Sequence, residues 1–228
     1  MQRFKVVTFA VLAVSALTAA MAASAYAGVE GLNAEGKATT ASFKGSSEKE
    51  AKLTVLGSSL EVKCKKETSE GTLETGGKLG AFHEKFEGCA TNLGGECTGL
   101  GDTAGTVLVL GTAHLSTNTA LTVGYELSLV EHLHFTCTVL GISKLVLVLG
   151  EYLCEVTPIN TLTSTFTDRC KRGAEKGDPS VTSYVNDEGK AATLTNALQA
   201  SEGDTSETMA ALEGECDVTA TVGVKIDV

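Results

Sequence analysis

The residues best equipped for chemistry are a histidine pair, seven cysteines and a large set of carboxylates. In His132-Leu133-His134 the two imidazoles lie two apart, so on a strand they share a face and can reach one metal ion. A third ligand would have to come from a residue such as His83, His114 or Glu131, and their spacing sets none of them beside the pair. The apolar residues Leu133, Phe135 and Cys137 claim the opposite face. That alternation turns His132 and His134 toward solvent, so they are weak metal candidates and no metal or cofactor is expected.

The cysteines are Cys64, Cys89, Cys97, Cys137, Cys154, Cys170 and Cys216. None forms a Cys-x-x-Cys pair and none lies near a histidine in a zinc pattern, so structural disulfides are the expected use. An odd count leaves one thiol over. Cys89 and Cys97 bracket the flexible Thr91-Asn92-Leu93-Gly94-Gly95, which favours a short loop closed between them. Cys64 follows inward Leu60 and Val62, and Cys137 follows inward Leu133 and Phe135, so a bridge between opposite layers is expected for that pair. For the last, Cys170 with Cys216 is preferred, leaving Cys154 unpaired. Cys154 with Cys170, flanking a hairpin, stays open as the alternative.

Further catalytic patterns are absent from the sequence. There is no Gly-x-Ser-x-Gly elbow, His-Glu-x-x-His helix, phosphate loop, dinucleotide fingerprint or Asp-x-Asp-x-Asp-Gly calcium loop. A carboxylate pair for glycoside hydrolysis can hide anywhere among 28 acidic residues and so carries no information. Trp is absent and aromatic residues make up 5% of the chain, which argues against a carbohydrate-stacking surface.

The elements that must position these residues begin after a leader. Met1-Gln2-Arg3-Phe4-Lys5 is basic, Val6 to Ala23 is apolar and uncharged, and Ala25-Tyr26-Ala27 ends the run with small residues at alternate positions. This is the grammar of a secretory signal peptide, residues 1–27, with cleavage expected after Ala27 and Ala23-Ser24-Ala25 as a second point. Loss of Arg3 and Lys5 takes the formal net charge from −10 to −12. So acidic a chain does not suit nucleic acid or anionic membranes, and no nucleic-acid partner is expected. No later run is long enough to span a membrane as a helix; Ile142 to Leu149 is strand-length and carries Lys144.

Period-two alternation dominates the remainder. Cys216, Val218, Ala220, Val222, Val224, Ile226 and Val228 share one face of a long C-terminal strand, while Leu121, Val123, Tyr125, Leu127 and Leu129 repeat the pattern. Val181 to Leu198 reads as a hairpin about Asp187-Glu188-Gly189, and Ser201 to Thr208 as an acidic loop. Frequent glycine turns between short Val/Thr/Leu runs predict an all-β, antiparallel sandwich or partly closed barrel, stapled by disulfides. Residues 28–50 are polar and are expected to be partly mobile. Residues 51–228 form the β domain, with a division into two lobes near 112–118 left open.

Val62-Lys63-Cys64, Phe86-Glu87-Gly88-Cys89, Cys97 before a glycine-rich turn, Phe135-Thr136-Cys137 and Val156-Thr157-Pro158-Ile159-Asn160 resemble an uncharacterised family of secreted actinobacterial proteins. Those are Gly/Thr-rich, cysteine-containing β proteins made with a signal peptide. The resemblance spans most of the mature chain and implies secretion and a disulfide fold, with no assigned activity. Cys154, Cys170 and Cys216 lie outside the shared pattern. Export, staples and acidity together point to a secreted or envelope-associated, non-enzymatic interaction or structural module, with an extracellular or envelope protein as its partner. The alternatives are a secreted hydrolase whose site is assembled from distant residues, or an exported metal-binding protein using His132 and His134.

Overall fold

The computed structural model describes residues 30–55, 59–74, 78–118, 123–129, 133–172, 183–185, 190–193, 199–202 and 208–227. The leader with its cleavage point at Ala27, Glu131, His132 and the turn at 187–189 lie outside the described residues. Every regular element described is a strand. In chain order these are β1 (Glu30–Leu32), β2 (Ala41–Ser47), β3 (Ala51–Val55), β4 (Glu61–Cys64), β5 (Lys66–Leu73), β6 (Lys78–Glu87), β7 (Ala90–Thr91), β8 (Cys97–Gly99) and β9 (Thr106–Asn118). There follow β10 (Val123–Leu129), β11 (Leu133–Val139), β12 (Ile142–Leu149), β13 (Glu151–Thr157), β14 (Thr163–Arg172), β15 (Ser183–Val185), β16 (Ala191–Thr193), β17 (Gln199–Glu202) and β18 (Thr208–Asp227). Among the described residues no helix is long and apolar enough to cross a membrane.

Eight of these strands close a ring. In order round the barrel they are β2, β5, β6, β9, β10, β13, β14 and β18, each antiparallel to the next, with β18 returning to β2. Closure removes the exposed edges that an open sheet would present. The remaining strands extend the ring. The N-terminal part of β18 pairs with β3 on one side and β17 on the other, and β4, β7, β12, β11 and β8 continue from these. Here Gly95 lets the β7–β8 turn meet the sheet: a Cβ on it would lie 1.4 Å from the Thr138 carbonyl oxygen.

The expected all-β, disulfide-stapled architecture holds, and the ring is fully closed rather than partly so. Several segments take a definite place in the sheet. The 28–50 segment, in which Ser42-Phe43 reads as a strand, supplies β2, a stave of the barrel whose inward positions Ala41, Gly45 and Ser47 are buried although too small or polar to register as a hydrophobic stripe. Across 112–118, where the sequence leaves a division open, β9 runs as one strand, pairing with β6 and then β10. Ser201, read as part of a loop, is buried and paired with Leu147 through β17. Of the expected Val181 to Leu198 hairpin, the described residues pair antiparallel as β15 with β16, Ser183 opposite Thr193. On β18 the expected inward face is kept except at Val222, which is 46% exposed where the β14 register is irregular.

Strand register also decides the disulfides. The bonds are Cys64–Cys89, Cys97–Cys137 and Cys154–Cys170, with Cα separations of 4.0, 4.0 and 4.3 Å. Cys97 lies directly opposite Cys137 in the β8–β11 ladder. Lys63 opposite Ala90 carries Cys64 to Cys89 one step on, and Glu155 opposite Arg169 does the same for Cys154 and Cys170. Facing residues on adjacent antiparallel strands bring their Cβ atoms within bridging reach. The expected Cys89–Cys97, Cys64–Cys137 and Cys170–Cys216 bonds are therefore not made, and the alternative Cys154–Cys170 is. The unpaired cysteine is Cys216, not Cys154. Cys216 faces Asp168 on β14, and no cysteine stands opposite it.

Peptide mapping without reductant is expected to recover those three links and to leave Cys216 as the sole thiol alkylated after denaturation. Removing a bridge as the C97A/C137A pair is expected to lower urea-unfolding stability by about 2–4 kcal/mol.

Candidate functional site

The core contains two apolar clusters, the first of them shared between the ring and the strands that extend it. One gathers Phe82, Phe86, Val107, Val109, Phe135, Val146 and Tyr152 with the buried disulfides, and the other gathers Leu73, Leu115, Val156, Phe166, Val224 and Ile226. Between them the inward positions turn polar. Glu67 on β5, Glu84 on β6, Tyr152 on β13, Asp168 on β14 and Cys216 on β18 form a belt across the barrel, each 7% exposed or less. The Tyr152 hydroxyl donates to Glu84 Oε2 at 3.3 Å, and Ser69 Oγ lies 3.8 Å from Cys216 Sγ. Gly45 is the wall facing this belt: a Cβ on it would sit 2.3 Å from Ser69 Oγ and 2.7 Å from Cys216 Sγ.

Local sequence explains why the acids point inward. Phe82-x-Glu84-x-Phe86 and Phe166-x-Asp168-x-Cys170 are period-two stripes whose flanking members must be buried, so the central carboxyl is carried in with them. The cost of burying charge then falls on protonation. Burial, then the neighbouring charge of Glu67, pushes Glu84 up to about 8 against the opposing Tyr152 hydrogen bond. Burial raises Glu67 to about 7. Asp168 is held well above the usual carboxylate range by burial and then by Glu84 and Glu67. Burial, with Glu67 beside it, pushes the Cys216 thiol up to about 12, which makes it a poor nucleophile.

Small cavities flank the belt. One of about 90 Å³ on the second cluster's side is lined by Phe43, Phe82, Phe166, Ser69, Glu84 and Asp168 among apolar neighbours. One of about 60 Å³ on the other side reaches Glu84, Tyr152, Phe86 and Phe135. Between Glu67, Glu84, Asp168, Cys170 and Cys216 there is about 10 Å³, room for about one water.

The histidines do not form a site among the described residues. His134 lies exposed on the outer face of β11, as the alternation requires, while Phe135 and Cys137 are buried. His83 is exposed on β6, and His114 lies on β9 opposite Glu126. The described residues contain one close donor set, Cys154, Asp168 and Cys170. Its two sulfurs are bonded to each other and so hold no metal while oxidised. The acidic belt itself was missed at the sequence level. Its signal is an acid flanked two residues away on both sides by inward residues, Phe82 and Phe86 for Glu84, Phe166 and the disulfide-bonded Cys170 for Asp168.

Ring and belt together define a disulfide-stapled, eight-stranded antiparallel barrel with a carboxyl-lined interior. Compared with family models, curated proteins and solved structures, the chain matches none.

Carboxyls raised in the folded state bind protons there that the unfolded chain has released. The contribution of Glu67 and Glu84 to stability is therefore fully present below about pH 4.5, declines as pH rises toward their folded values near 7 and 8, and levels beyond them. The slope is about 1.4 kcal/mol per pH unit for each raised group in that window. Glu84→Gln keeps the shape and removes the ionisation. Urea unfolding from pH 5 to 9 is expected to show a shallower decline for this variant than for the parent.

Proposed function

We propose that the protein is an exported, non-enzymatic binding module whose barrel interior takes up a small molecule. The observation that carries this reading is the cavity of about 90 Å³, apolar over most of its wall and approached by Glu84, Asp168 and Ser69. An eight-stranded barrel has an interior that side chains fill or that holds one small ligand. A mostly apolar pocket with a few convergent polar groups is how small-molecule sites are built.

Three buried disulfides support the exported part of the reading, because such bonds persist in oxidising compartments. Secretion with cleavage after Ala27, an envelope or extracellular setting, and kinship with the secreted actinobacterial family belong to the proposal. A hydrolase is the second reading, favoured by Glu84 and Asp168 lining one cavity. Hydrolysis by a carboxyl pair needs one member ionised as base or nucleophile. Burial holds both acids toward the neutral form at pH 7, which supports binding over catalysis.

Export is checked by intact mass of material from the culture medium, expected to begin at Gly28 and to carry six oxidised cysteines; full-length reduced protein would contradict it. Interior binding is checked by xenon NMR. A saturable site in the 90 Å³ cavity is expected in the parent, abolished by the cavity-filling Ala220→Phe in protein that retains its fold. Absence of xenon binding in the parent overturns the interior-binding reading.

A further inference from the structure

We propose that the 90 Å³ cavity binds a small alkylammonium ion, of about trimethylammonium size, between the rings of Phe43, Phe82 and Phe166 and the carboxyls of Glu84 and Asp168. This inference rests on the interior-binding reading and names its ligand class.

Charge is the first argument. Among the described residues the cavity lining contains two carboxyls and no Lys, Arg or His. Lys44 with Glu70, Lys63 with Glu50 and Arg169 with Glu215 pair on the outer surface. An anion entering the belt would be desolvated beside Glu67, Glu84 and Asp168 with no positive charge among the described lining residues to offset it. A neutral apolar molecule fills the space and uses neither acid. A cation pairs with the carboxylate formed when Glu84 gives up its proton, and in a low-dielectric interior that attraction is far stronger than in water.

The aromatic walls are the second argument. Three phenylalanine rings line one cavity with the carboxyls, and the negative face of an aromatic ring attracts an organic cation, most strongly once it is desolvated. Alkylated ammonium ions shed water more readily than a metal ion and present methyl groups to the apolar wall. Size is the third. A cavity of ~150 Å³ admits benzene with its six carbons. In proportion, 90 Å³ suits about four non-hydrogen atoms, the count in trimethylammonium.

Binding is accompanied by proton release. As the ammonium ion enters with its charge intact, Glu84 loses its proton to solvent, so one cation replaces one proton and the interior charge is unchanged. The groups facing Glu84 are Glu67 from β5, Tyr152 from β13, Asp168 from β14 and Cys216 from β18, while Val109 opposite it on β9 is apolar. None of these is basic, and Lys52 of β3, which with Glu84 lines the smaller cavity, is ion-paired with Glu213, so the entering cation supplies the compensating charge in the 90 Å³ cavity. Affinity therefore rises with pH, by about tenfold per unit while Glu84 remains protonated in the free protein.

The test is titration of the oxidised mature chain with trimethylammonium chloride, tert-butanol and sodium acetate, followed by NMR chemical shifts of the phenylalanine rings and by calorimetry. The proposal expects saturable one-to-one binding of trimethylammonium, about a hundredfold tighter at pH 7 than at pH 5, with no response to acetate. Glu84→Gln is expected to weaken the cation at least tenfold and to erase the pH dependence while leaving tert-butanol unchanged. Phe166→Leu, which keeps the wall apolar, is expected to weaken the cation and not the alcohol. Equal binding of tert-butanol and trimethylammonium, or cation binding untouched by Glu84→Gln, overturns the ligand class and leaves interior binding standing. If neither the cation nor tert-butanol binds and xenon also fails, both readings fall together.

Discussion

Closing eight strands into a ring forces every second residue inward, and at the middle of this barrel the inward positions are acids. Glu67, Glu84 and Asp168 cannot turn outward without turning Leu73, Phe82, Phe86 and Phe166 outward as well, because side-chain direction alternates along each strand. Nor can three carboxylates share that volume as ions. The barrel therefore stands on protonation: burial shifts the acids toward their neutral forms, Tyr152 donates to Glu84, and the cavities form where polar belt and apolar clusters fail to interdigitate.

The same geometric rule governs the sulfurs. Each bond joins cysteines that face each other across one antiparallel ladder, so each staples neighbouring strands rather than opposite walls. Cys97–Cys137 and Cys64–Cys89 secure the short strands that extend the ring. Cys154–Cys170 ties β13 to β14 beside the acidic belt. Cys216 belongs to the belt rather than to the staples. With Asp168 opposite and its thiol held protonated, it acts as a small weakly polar filler.

Much of the architecture was legible in the sequence, and the failures have one physical cause. The alternation of Leu133, Phe135 and Cys137 correctly placed His134 outside, and the C-terminal run correctly gave a long strand. What alternation cannot supply is partnership: which strand lies beside which, and in what register. Cys64 and Cys137 were both rightly placed inward and wrongly joined to each other, since inwardness says nothing of neighbours. β2 was legible only at Ser42-Phe43 because Ala41, Gly45 and Ser47 are inward residues chosen for smallness, as Gly45 against Ser69 and Cys216 makes plain. The belt was missed because acids were weighed by type, whereas Glu84 between Phe82 and Phe86 is defined by its flanks.

The most direct measurement is a carboxyl carbon NMR titration of the oxidised mature chain labelled at Glu and Asp, with Glu84→Gln supplying the assignment. The account predicts that the Glu84 resonance stays at the protonated position through pH 6 and moves only between about pH 7 and 9. Ionisation of Glu84 near the ordinary carboxylate value, with the fold intact, would contradict it and would remove the neutral acid on which both the barrel and its proposed ligand depend.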